Sequence, residues 1–573
     1  MNRRDFVRNG VVLSTIPTIF PFLPPLNEQF IASSAAEKPD WVIDMIRRNE
    51  LSVENAYTRR INDKDSPKYG AVLDGVEIAT PHSSLGFIKS GICCLASSES
   101  KYHNDQKLLS DLVDTAKFLL TLQHEDGTID LVTTNFHSTP DTGFLVKYLC
   151  PAVAVFRNSK VKNKEPLMAL MKEFLENAGR ALVVGGIHTP NHRWVVSGAL
   201  ASLHMLWPKP EYLQRAETWL SEGIDLDEDG QYQEKSSYIY SSLSDRVLIT
   251  IARGFNKPEI LEYVRKNLEM TFYYLHPNGE IVTEASGRQD NSIIGTLENY
   301  YYPYRYLALK DNNPQFAAAC RLIEETAATK TAGFIQYFLE DPTLWKDLPK
   351  GGELPTNYFK HFANSKLIRI RRGDYDASIL PQNPAFFNFH KKNVALQGLR
   401  VASAFFGKGQ FTADEYRIED GTIYMESHLQ GPYYQPFPAD KIPGDGIWEN
   451  MPRTERPQSE VQQFRTAITI SEMEKGFEIN IEIDGTDHVP LAVELIFRPG
   501  GSMKHTTAHS DLKDVFFLED GFGQYEVDGE RIKFGPAHHE HKWVDIRGGL
   551  PRMDAPTVYL TGFTPFKKTI KIS

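Results

Sequence analysis

The stretch GIHTPNHRWVVSGA at positions 186–199 combines a polar loop with the start of an amphipathic helix. Thr189 is a suitable N-cap and Pro190 a suitable first helical residue, and apolar side chains follow at helical spacing. A helix N-terminus carries unsatisfied N–H groups and a partial positive charge. The stretch therefore predicts a helix that begins at an anion-binding loop formed by His188, Asn191, His192 and Arg193. A capped helix with a core tryptophan and a surface histidine is the simpler alternative.

The same combination of loop and helix recurs on both sides of this stretch, from about Pro39 to about Gln336. Apolar residues repeat at three- and four-residue spacing in the segments 108–123, 142–156, 165–182, 191–206, 211–222, 241–253, 258–275, 292–309 and 314–329. The connections contain Gly, Pro, Asn and Asp. Helices paired by short loops predict an (α/α) toroid over residues 37–339, as an incomplete ring or a six-fold barrel.

The hydrophobic period changes to two after a segment rich in Pro, Gly and Asn. That segment, 340–365, is predicted to be a linker. Beyond it, alternating sequences such as TAITI at 466–470 and FEINIEI at 477–483 predict strands of an antiparallel β-sandwich over 366–573. The chain is therefore predicted to be a multidomain α + β protein, with the toroid first and the sandwich second.

The N-terminus has the features of an export signal. Two adjacent arginines at positions 3 and 4 precede Phe6, an apolar stretch at 11–23 and small residues at 32–36. This pattern predicts a twin-arginine signal peptide over residues 1–36, and hence a periplasmic or secreted protein. The apolar stretch contains two prolines and is too short for a stable membrane span.

The charge balance argues against nucleic acid as a partner. The chain has 63 Lys and Arg against 74 Asp and Glu, a net charge of −11. An acidic substrate is still compatible, because a cleft can be basic on an acidic protein. The sequence does not indicate an oligomeric state.

The cysteines indicate neither a zinc knuckle nor a disulfide framework. There are four, two of them adjacent at Cys93 and Cys94, and no Cys-x-x-Cys pair occurs. They are predicted to be buried thiols, and a Cys150–Cys320 bridge stays open.

Three further polar segments lie directly before predicted helices. They surround positions 135–144, 229–241 and 284–290, and their candidate functional residues are Asn135, His137, Glu234, Tyr238, Tyr240 and Arg288. Because alternate helices of a toroid point the same way, such loops can gather at one mouth. Four independent helix caps would give the same sequence pattern.

Asn, His, Tyr and Arg without an obvious carboxylate pair suit proton abstraction next to a carboxylate. The C5 proton of a uronic acid is very weakly acidic, so the charge that develops on the carboxylate has to be neutralised. Asn, His and Arg can supply the neutralising donors, and a Tyr near cations can act as base and acid. The expected reaction is β-elimination in an acidic polysaccharide or oligosaccharide, which leaves a 4,5-unsaturated uronate and requires no cofactor.

The ordered set of motifs resembles the heparinase II/III-like and related polysaccharide lyases, which join an α/α toroid to a β-sandwich. The matching features are Asn135 with Asp141-Thr142, the run NHRW at 191–194, Asp229-Gly230 with Glu234 and Ser236, and Gly287-Arg288-x-Asp290 after Pro277-Asn-Gly279. The resemblance implies that Asn191 and His192 neutralise the carboxylate or join the base. It also implies that Tyr238 or Tyr240 is the acid/base.

The tyrosine segment departs from the family pattern. Ile239 stands where the family often has the tyrosine, and no histidine follows. Residues two apart on a helix point about 200° apart, so only one of the flanking tyrosines can face the cleft. Tyr238 is slightly favoured over Tyr240, and His137 or His188 is the expected partner. The predicted substrate contacts are Asn135, Arg193, Trp194, Glu234, Arg288 and Tyr301.

A metal site is a lesser prediction. The run HHEH at 538–541 is rich in ligands, but successive side chains of a strand point to opposite faces. His539 and His541 are the candidates for a structural Zn²⁺ or Ca²⁺, and a solvated loop is the alternative.

Two other function classes stay open. A glycoside hydrolase would need two carboxylates beside the bond, for which Asp141 and Glu234 are the best candidates. A non-catalytic glycan-binding protein would use aromatic platforms such as Trp194 and the tyrosines at 300–304. Few basic residues surround the motifs, which favours an unsulfated uronate over a sulfated one. The sugar itself, and endo or exo action, are not indicated.

Overall fold

The computed structural model describes residues 37–442 and 444–573. The predicted signal peptide at 1–36 lies outside the described residues. A helical domain comes first and a β domain second, in the predicted order.

The helical domain begins at Asp40. Its helices are α1 (Asp40–Tyr57), α2 (Pro81–Ala96), α3 (Gln106–Thr121), α4 (Thr139–Asn158), α5 (Glu165–Val184), α6 (His192–Leu206), α7 (Pro210–Leu220), α8 (Tyr240–Gly254), α9 (Leu261–Thr271), α10 (Tyr301–Lys310), α11 (Pro314–Ala327) and α12 (Ile335–Glu340). Side chains cap several of them. The Thr80 hydroxyl accepts from the Ser83 N–H before α2, and Asp105 accepts from Lys107 and Leu108 before α3.

The helices form two layers. Helices α2, α4, α6 and α8 contact one another in order, while α3, α5 and α7 contact one another outside them. Helix α6 is buried along nearly its whole length, whereas α7 buries only Tyr212 and Ala216. Helix α12 packs against α1, α2 and α4, so the end of the domain contacts its beginning. This is the predicted toroid.

Two local predictions in this domain are wrong. The segment 292–309 is not one helix, because α10 begins only at Tyr301 after a 3₁₀ turn at Leu297–Tyr300. Gly295 lies against the ring of Tyr238, and Thr296 is extended, which interrupts the helix. The region around Asn135 is a hairpin rather than an open loop, with β1 (Ile129–Leu131) paired to β2 (Asn135–Ser138).

The β domain contains two stacked sheets. Its strands are β3 (Asn357–Phe362), β4 (Leu367–Arg372), β5 (Tyr375–Ile379), β6 (Phe387–Lys391), β7 (Val394–Ser403), β8 (Gly409–Gln410), β9 (Glu415–Glu419), β10 (Thr422–Tyr434), β11 (Gln458–Glu472), β12 (Phe477–Gly485), β13 (Pro490–Phe497), β14 (Ser502–Lys504), β15 (Thr507–Ala508), β16 (Val515–Phe517), β17 (Gly523–Val527), β18 (Glu530–Gly535), β19 (Thr557–Phe563) and β20 (Phe566–Ile572).

One sheet has eight strands in the order β14-β17-β18-β20-β12-β11-β10-β9, and the other has ten in the order β15-β16-β19-β13-β7-β6-β5-β4-β3, with β8 beside β7. Pairing is antiparallel except between β16 and β19. Alternate residues of both sheets, such as Ile479 and Ile481 facing Leu399 and Val401, fill one core. The predicted antiparallel sandwich is confirmed.

The structure corrects the predicted boundary between the linker and the β domain. Strand β3 lies inside the predicted linker 340–365 and pairs with β4 at the edge of the larger sheet. Only Phe362 of this strand is buried. An edge strand with one exposed face gives little hydrophobic signal, which is why the sequence pattern missed it.

A buried charge cluster joins the two domains. Arg369 on β4 pairs with Asp376 on β5 at 2.6 Å, and it also donates to the carbonyls of Tyr273 and Leu275 after α9. His276 donates through Nδ1 to the Asp376 carboxylate at 3.1 Å. Residues of the sandwich thus bind the end of the α9 segment directly, which fixes the two domains against each other.

Two further groups complete this interdomain cluster. Glu284 lies 3.5 Å from His276 Nε2 and accepts a hydrogen bond from the Ser378 hydroxyl at 2.6 Å. The ring of His390 stacks on that of His276, with centroids 3.6 Å apart. A protonated His276 is therefore held between two carboxylates, beside a histidine that burial keeps neutral by lowering its pKa well below the usual range.

We expect the protein to lose stability as the pH rises from about 7 to about 10. Burial lowers the pKa of His276, but Asp376 and Glu284 raise it more, to about 9 against an ordinary 6.5. The stabilisation is therefore complete below about pH 6.5 and is lost as the pH rises through about 9, and the shift corresponds to about 3 kcal/mol.

Thermal unfolding of the wild type and of His276→Gln across this range measures the effect. The variant should unfold at a lower temperature near neutral pH and should lack the alkaline decline. An equal decline in both proteins would contradict the role given to His276.

Candidate active site

Polar residues meet at one mouth of the toroid, where the N-termini of α4, α6 and α8 lie. Five of them are connected by contacts and form what we call the His192 cluster: Asn191, His192, Glu234, Tyr240 and Arg288. They come from three separate polar segments of the sequence. Helices that point the same way bring these segments together, as the toroid prediction requires.

Helix α6 begins later than predicted. Its N-cap is Asn191 rather than Thr189, and the first turn bonds run from the His192 N–H to the Thr189 carbonyl and from the Arg193 N–H to the Pro190 carbonyl. The Thr189 hydroxyl donates to Asn191 Oδ1 at 2.7 Å instead of capping the helix. This bond orients the Asn191 amide. Its Nδ2 is buried and has no hydrogen-bond partner among the described residues.

His192 is buried beside Asn191 and is neutral at physiological pH. Its ring meets the edge of His188 at 4.8 Å and of Phe144 at 6.0 Å between centroids, and its buried Nδ1 has no partner among the residues described. Burial and His188 lower the pKa of His192 to about 4, and Arg288 acts in the same direction while Asp141 opposes it. Two adjacent residues thus present unsatisfied polar atoms at the helix start, a costly arrangement unless a ligand completes it.

Glu234, which is buried, forms an ion pair across the mouth with Arg288, which is partly exposed. Glu234 Oε2 lies 2.7 Å from an Arg288 nitrogen, although the angle is not that of a hydrogen bond. The other oxygen, Oε1, accepts a long bond of 3.5 Å from the Asn191 N–H. The guanidinium of Arg288 also lies over the ring of Tyr240, 5.1 Å from its centroid. The pair therefore connects the helix start at Asn191 with the tyrosine.

Tyr240 is the tyrosine that belongs to the cluster. It is the first residue of α8, is half-buried, and its phenolic oxygen accepts a hydrogen bond from Gln289 Nε2 at 2.7 Å. A hydrogen-bond donor therefore lies on the phenolic oxygen and a cation over the ring. Gln289 is not among the predicted site residues; it stands at the unspecified position between Arg288 and Asp290.

Tyr238 faces away from the cluster. Its hydroxyl donates to Glu298 Oε1 at 2.8 Å, and its ring packs against Gly295. Burial and the hydrogen bond to Glu298 raise the pKa of Tyr238 to about 12. The contacts therefore favour Tyr240 over Tyr238, because the Tyr238 hydroxyl is engaged by a carboxylate on another element.

Asp290 holds the two loops of the cluster in place. It is fully buried and accepts bonds from the Ser236 and Ser286 hydroxyls and from the Tyr238 N–H. Ser236 in turn accepts from the Tyr240 N–H at 3.0 Å and so starts helix α8. The sequence named Asp290 only as part of a motif, and the structure gives it a positioning role.

Asn135 lies beside the start of α4, and its amide is already engaged. Its Nδ2 donates to Asp141 Oδ2 at 2.9 Å, and the Ser138 hydroxyl donates to the same oxygen at 2.5 Å. Ser138, rather than Thr139 or Asp141, is the N-cap, because its oxygen accepts from the Asp141 N–H. The charge of Asp141 acts on both His192 and His82. The start of α2, which carries His82, therefore lies near the same mouth.

The two other predicted histidines lie at different places. His188 is exposed at the rim of the cluster, in contact with His192. His137 is exposed on the hairpin, where it stacks on His124 at 3.7 Å and pairs with Asp126 at 2.8 Å. Its recorded contacts are with these residues rather than with the His192 cluster, so the structure does not support His137 as a partner of the tyrosine.

Three predicted substrate contacts are structural instead. Arg193 turns to the loop after α7, where it pairs with Glu222 and Asp225. Trp194 is fully buried and donates to Asp225 Oδ1 at 2.8 Å. Tyr301 is buried and donates to Glu324 at 2.7 Å. These predictions are wrong because helical spacing does not show which face of a helix turns inward.

The metal candidates do not converge. His541 Nε2 lies 3.1 Å from the Gly562 carbonyl, and His539 lies beside Thr561 and 3.9 Å from Glu519. Within the described residues the group of potential ligands is instead His276, Glu284 and His390. Both nitrogens of His276 already face carboxylates, so this group acts as the interdomain cluster. All four cysteines are free and buried, so the Cys150–Cys320 bridge is not formed.

Solved structures of polysaccharide-degrading enzymes share this fold. Heparinase III is 11% identical, with 98% of this chain and 85% of that chain covered and a TM-score of 0.52. The chondroitin AC lyase of Streptomyces coelicolor A3, in complex with chondroitin sulphate, is 13% identical over 94% and 80%, with a TM-score of 0.51. A Paenibacillus xanthan lyase is 10% identical over 93% and 57%, with a TM-score of 0.53.

These matches confirm the resemblance to heparinase II/III-like lyases at the level of the fold, toroid plus sandwich. No protein-family model matches the chain, and no curated protein does. No helix in the described ranges is both long and apolar enough to cross a membrane.

We expect the His192 imidazole to stay neutral at pH values well below the ordinary pKa of a histidine. Its pKa of about 4 follows from burial and from the neighbouring His188. Nuclear magnetic resonance titration of the histidine side chains, with His192→Gln to assign the signal, measures this value. A midpoint near 6.5 would show that the ring is solvated and that the burial described here is wrong.

Proposed function

We propose that the protein is a carbon–oxygen lyase that cleaves a uronate-containing glycan by β-elimination. The observation that carries this proposal is the pair of buried polar atoms, Asn191 Nδ2 and His192 Nδ1, which have no partner among the described residues and which Glu234 and Arg288 connect to Tyr240. The proposal also places the protein in the periplasm or outside the cell, exported by the twin-arginine route through residues 1–36. Its partner would be an acidic polysaccharide or oligosaccharide.

Substrate binding follows from the unpartnered atoms. Asn191 Nδ2 can donate to one oxygen of the uronate carboxylate, and His192 can donate from Nδ1 in the appropriate neutral tautomer. A neutral imidazole can still donate a hydrogen bond to the substrate, and it does not form an ion pair with the Asp141 carboxylate. Both donors sit at the start of α6, where the helix dipole favours negative charge. These groups would stabilise the enediolate more strongly than the resting carboxylate.

Tyr240 suits both proton transfers. Tyr240, contacted by Gln289 and by the guanidinium of Arg288, would as a phenolate remove the C5 proton of the uronate. The electron pair of that C–H bond forms the enediolate, and its collapse creates the C4–C5 double bond and breaks the bond from C4 to the glycosidic oxygen. The proton on Tyr240 then passes to the leaving oxygen, which restores the phenolate. No water is consumed.

The hydrolase alternative is weaker because its carboxylates are occupied. Glu234 is paired with Arg288, and Asp141 accepts from Asn135 and Ser138. A general acid must reach the glycosidic oxygen, whereas the carboxylates of Glu234 and Asp141 are engaged by other side chains. The binding-protein alternative is weaker because its aromatic platforms, Trp194 and the tyrosines at 300–304, are buried.

The solved structures with this fold support the proposal. They are heparinase III, a chondroitin AC lyase and a xanthan lyase. Because these names refer to different glycans, the sugar that this chain acts on has to be identified by experiment.

Exchange of Tyr240 for phenylalanine is expected to lower kcat by about 10²–10⁴-fold, because a general acid–base group contributes that much. Tyr238→Phe is the matched control, since it removes a hydroxyl two residues away and is expected to keep near-normal turnover. The assay follows the ultraviolet absorbance of the unsaturated uronate on a panel of uronate glycans. Equal losses in both variants would contradict the choice of Tyr240.

Removal of the neutralising groups is also expected to lower kcat strongly. His192→Ala and Asn191→Ala should each lower kcat by about 10²–10³-fold, as for the loss of an oxyanion donor, while thermal unfolding shows that the fold is retained. New reducing ends without the absorbance would indicate hydrolysis and would exclude the roles given to both residues.

A further inference from the structure

A group of cationic side chains lies in the toroid near Phe144. It comprises Lys89 on α2, Lys147 on α4 and Arg246 on α8, and we call it the lysine–arginine group. Lys147 Nζ lies against the Tyr148 ring, while Lys89 and Arg246 contact the neighbouring residues Gly333 and Phe334. Three separate helices of the inner layer therefore contribute positive charge to one region.

Lys147 is the most unusual member. Its side chain is fully buried, and Nζ has no hydrogen-bond partner among the described residues. Nζ lies 3.5 Å from the centroid of the Tyr148 ring and 5.4 Å from that of Phe144. Burial lowers the pKa of Lys147 to about 8. A lysine in this position remains mostly charged at neutral pH and has only aromatic faces to stabilise it.

The other two cations bind only backbone carbonyls. Arg246 donates to the Asn299 carbonyl and lies 4.9 Å from the Phe334 ring, and its buried Nε has no partner in the described part of the chain. Lys89 Nζ donates to the Gly333 carbonyl at 3.0 Å. In the described ranges none of the three cations forms an ion pair with a carboxylate.

The pKa of the Tyr148 hydroxyl reflects the excess of positive charge around it. Burial raises the pKa of its hydroxyl, but Lys147, Arg246 and Lys89 lower it more, so that it falls below the ordinary value. Buried charges without a counter-ion cost several kcal/mol each. An arrangement of this kind is expected where an anion binds and supplies the missing negative charge.

Phe144 connects the lysine–arginine group with the His192 cluster. Its ring contacts both His192 and Lys147. Tyr148 follows Phe144 by four residues, about 6 Å along α4. Lys89, Tyr148 and Phe144 are each only partly buried, so part of the group is accessible from solvent.

We propose that Lys89, Lys147 and Arg246 form an oxyanion-binding subsite, which receives a carboxylate or sulfate group of the glycan held at the His192 cluster. This assignment rests on the proposed function for the source of the anion. The chemistry would also accept a free inorganic oxyanion. The subsite contributes affinity, and none of its residues takes part in the proton transfers assigned to Tyr240.

The test uses the full chain and two probes, sodium sulfate and an acidic uronate oligosaccharide. The variants are Lys147→Met and Lys89→Met, with Lys172→Met as the control for an exposed lysine on α5. Calorimetry gives Kd for sulfate, and kinetics give KM for the oligosaccharide. Sodium chloride at equal ionic strength corrects for general salt effects. An apolar residue in place of an unpaired buried charge is expected to keep the fold.

A loss of about tenfold or more in affinity for either probe in Lys147→Met, with Lys172→Met unchanged, supports the subsite, since a bond to a charged group has about that value. A loss for both probes indicates a general oxyanion site, and a loss for the oligosaccharide alone indicates a glycan group. Unchanged Kd and KM in Lys147→Met and Lys89→Met would overturn the proposal. Sulfate binding can be measured without turnover, so the Kd for sulfate tests the subsite even if the lyase assay shows no activity.

Discussion

The ion pair between Glu234 and Arg288 is the contact on which the mouth of the toroid depends. It joins the loop before α8 to the loop after α9, at a separation of 2.7 Å. The same two residues contact the rest of the cluster, Glu234 through the Asn191 N–H and Arg288 through the Tyr240 ring. Because Glu234 is buried, loss of Arg288 would leave its carboxylate without a counter-ion, and the pair therefore connects the donors on α6 with the tyrosine on α8.

Electrostatics then divide the cleft into regions with different tasks. At the start of α6, burial keeps His192 neutral and leaves donors free. At the start of α8, a guanidinium and an amide contact Tyr240, while burial and the hydrogen bond to Glu298 raise the pKa of Tyr238. Beyond Phe144, the lysine–arginine group adds cations that form no ion pair with a carboxylate in the described ranges. These regions together suit a polyanionic chain better than a neutral one, on a protein whose net charge is −11.

Hydrophobic period predicted the two domains, because helices and strands that cover a core must repeat every 3.6 or 2 residues. It also predicted that the loop at 186–193 belongs to a site. It could not show which face of α6 or α10 turns inward, so the buried Trp194 and Tyr301 were misassigned. The choice between Tyr238 and Tyr240 depends on Glu298 and Gln289, about fifty residues away, and only the folded chain brings those groups together. Contacts between domains, such as His276 with Asp376, leave no local signal at all.

Elimination and hydrolysis differ in the fate of water, and this difference tests the central claim most directly. Mass spectrometry of the two new ends records whether cleavage has added a water molecule to the products. Elimination by Tyr240 predicts fragments whose masses sum to that of the substrate, with an unsaturated uronate at the new non-reducing end. Fragments that together gain one water, with a saturated uronate at that end, would contradict the account.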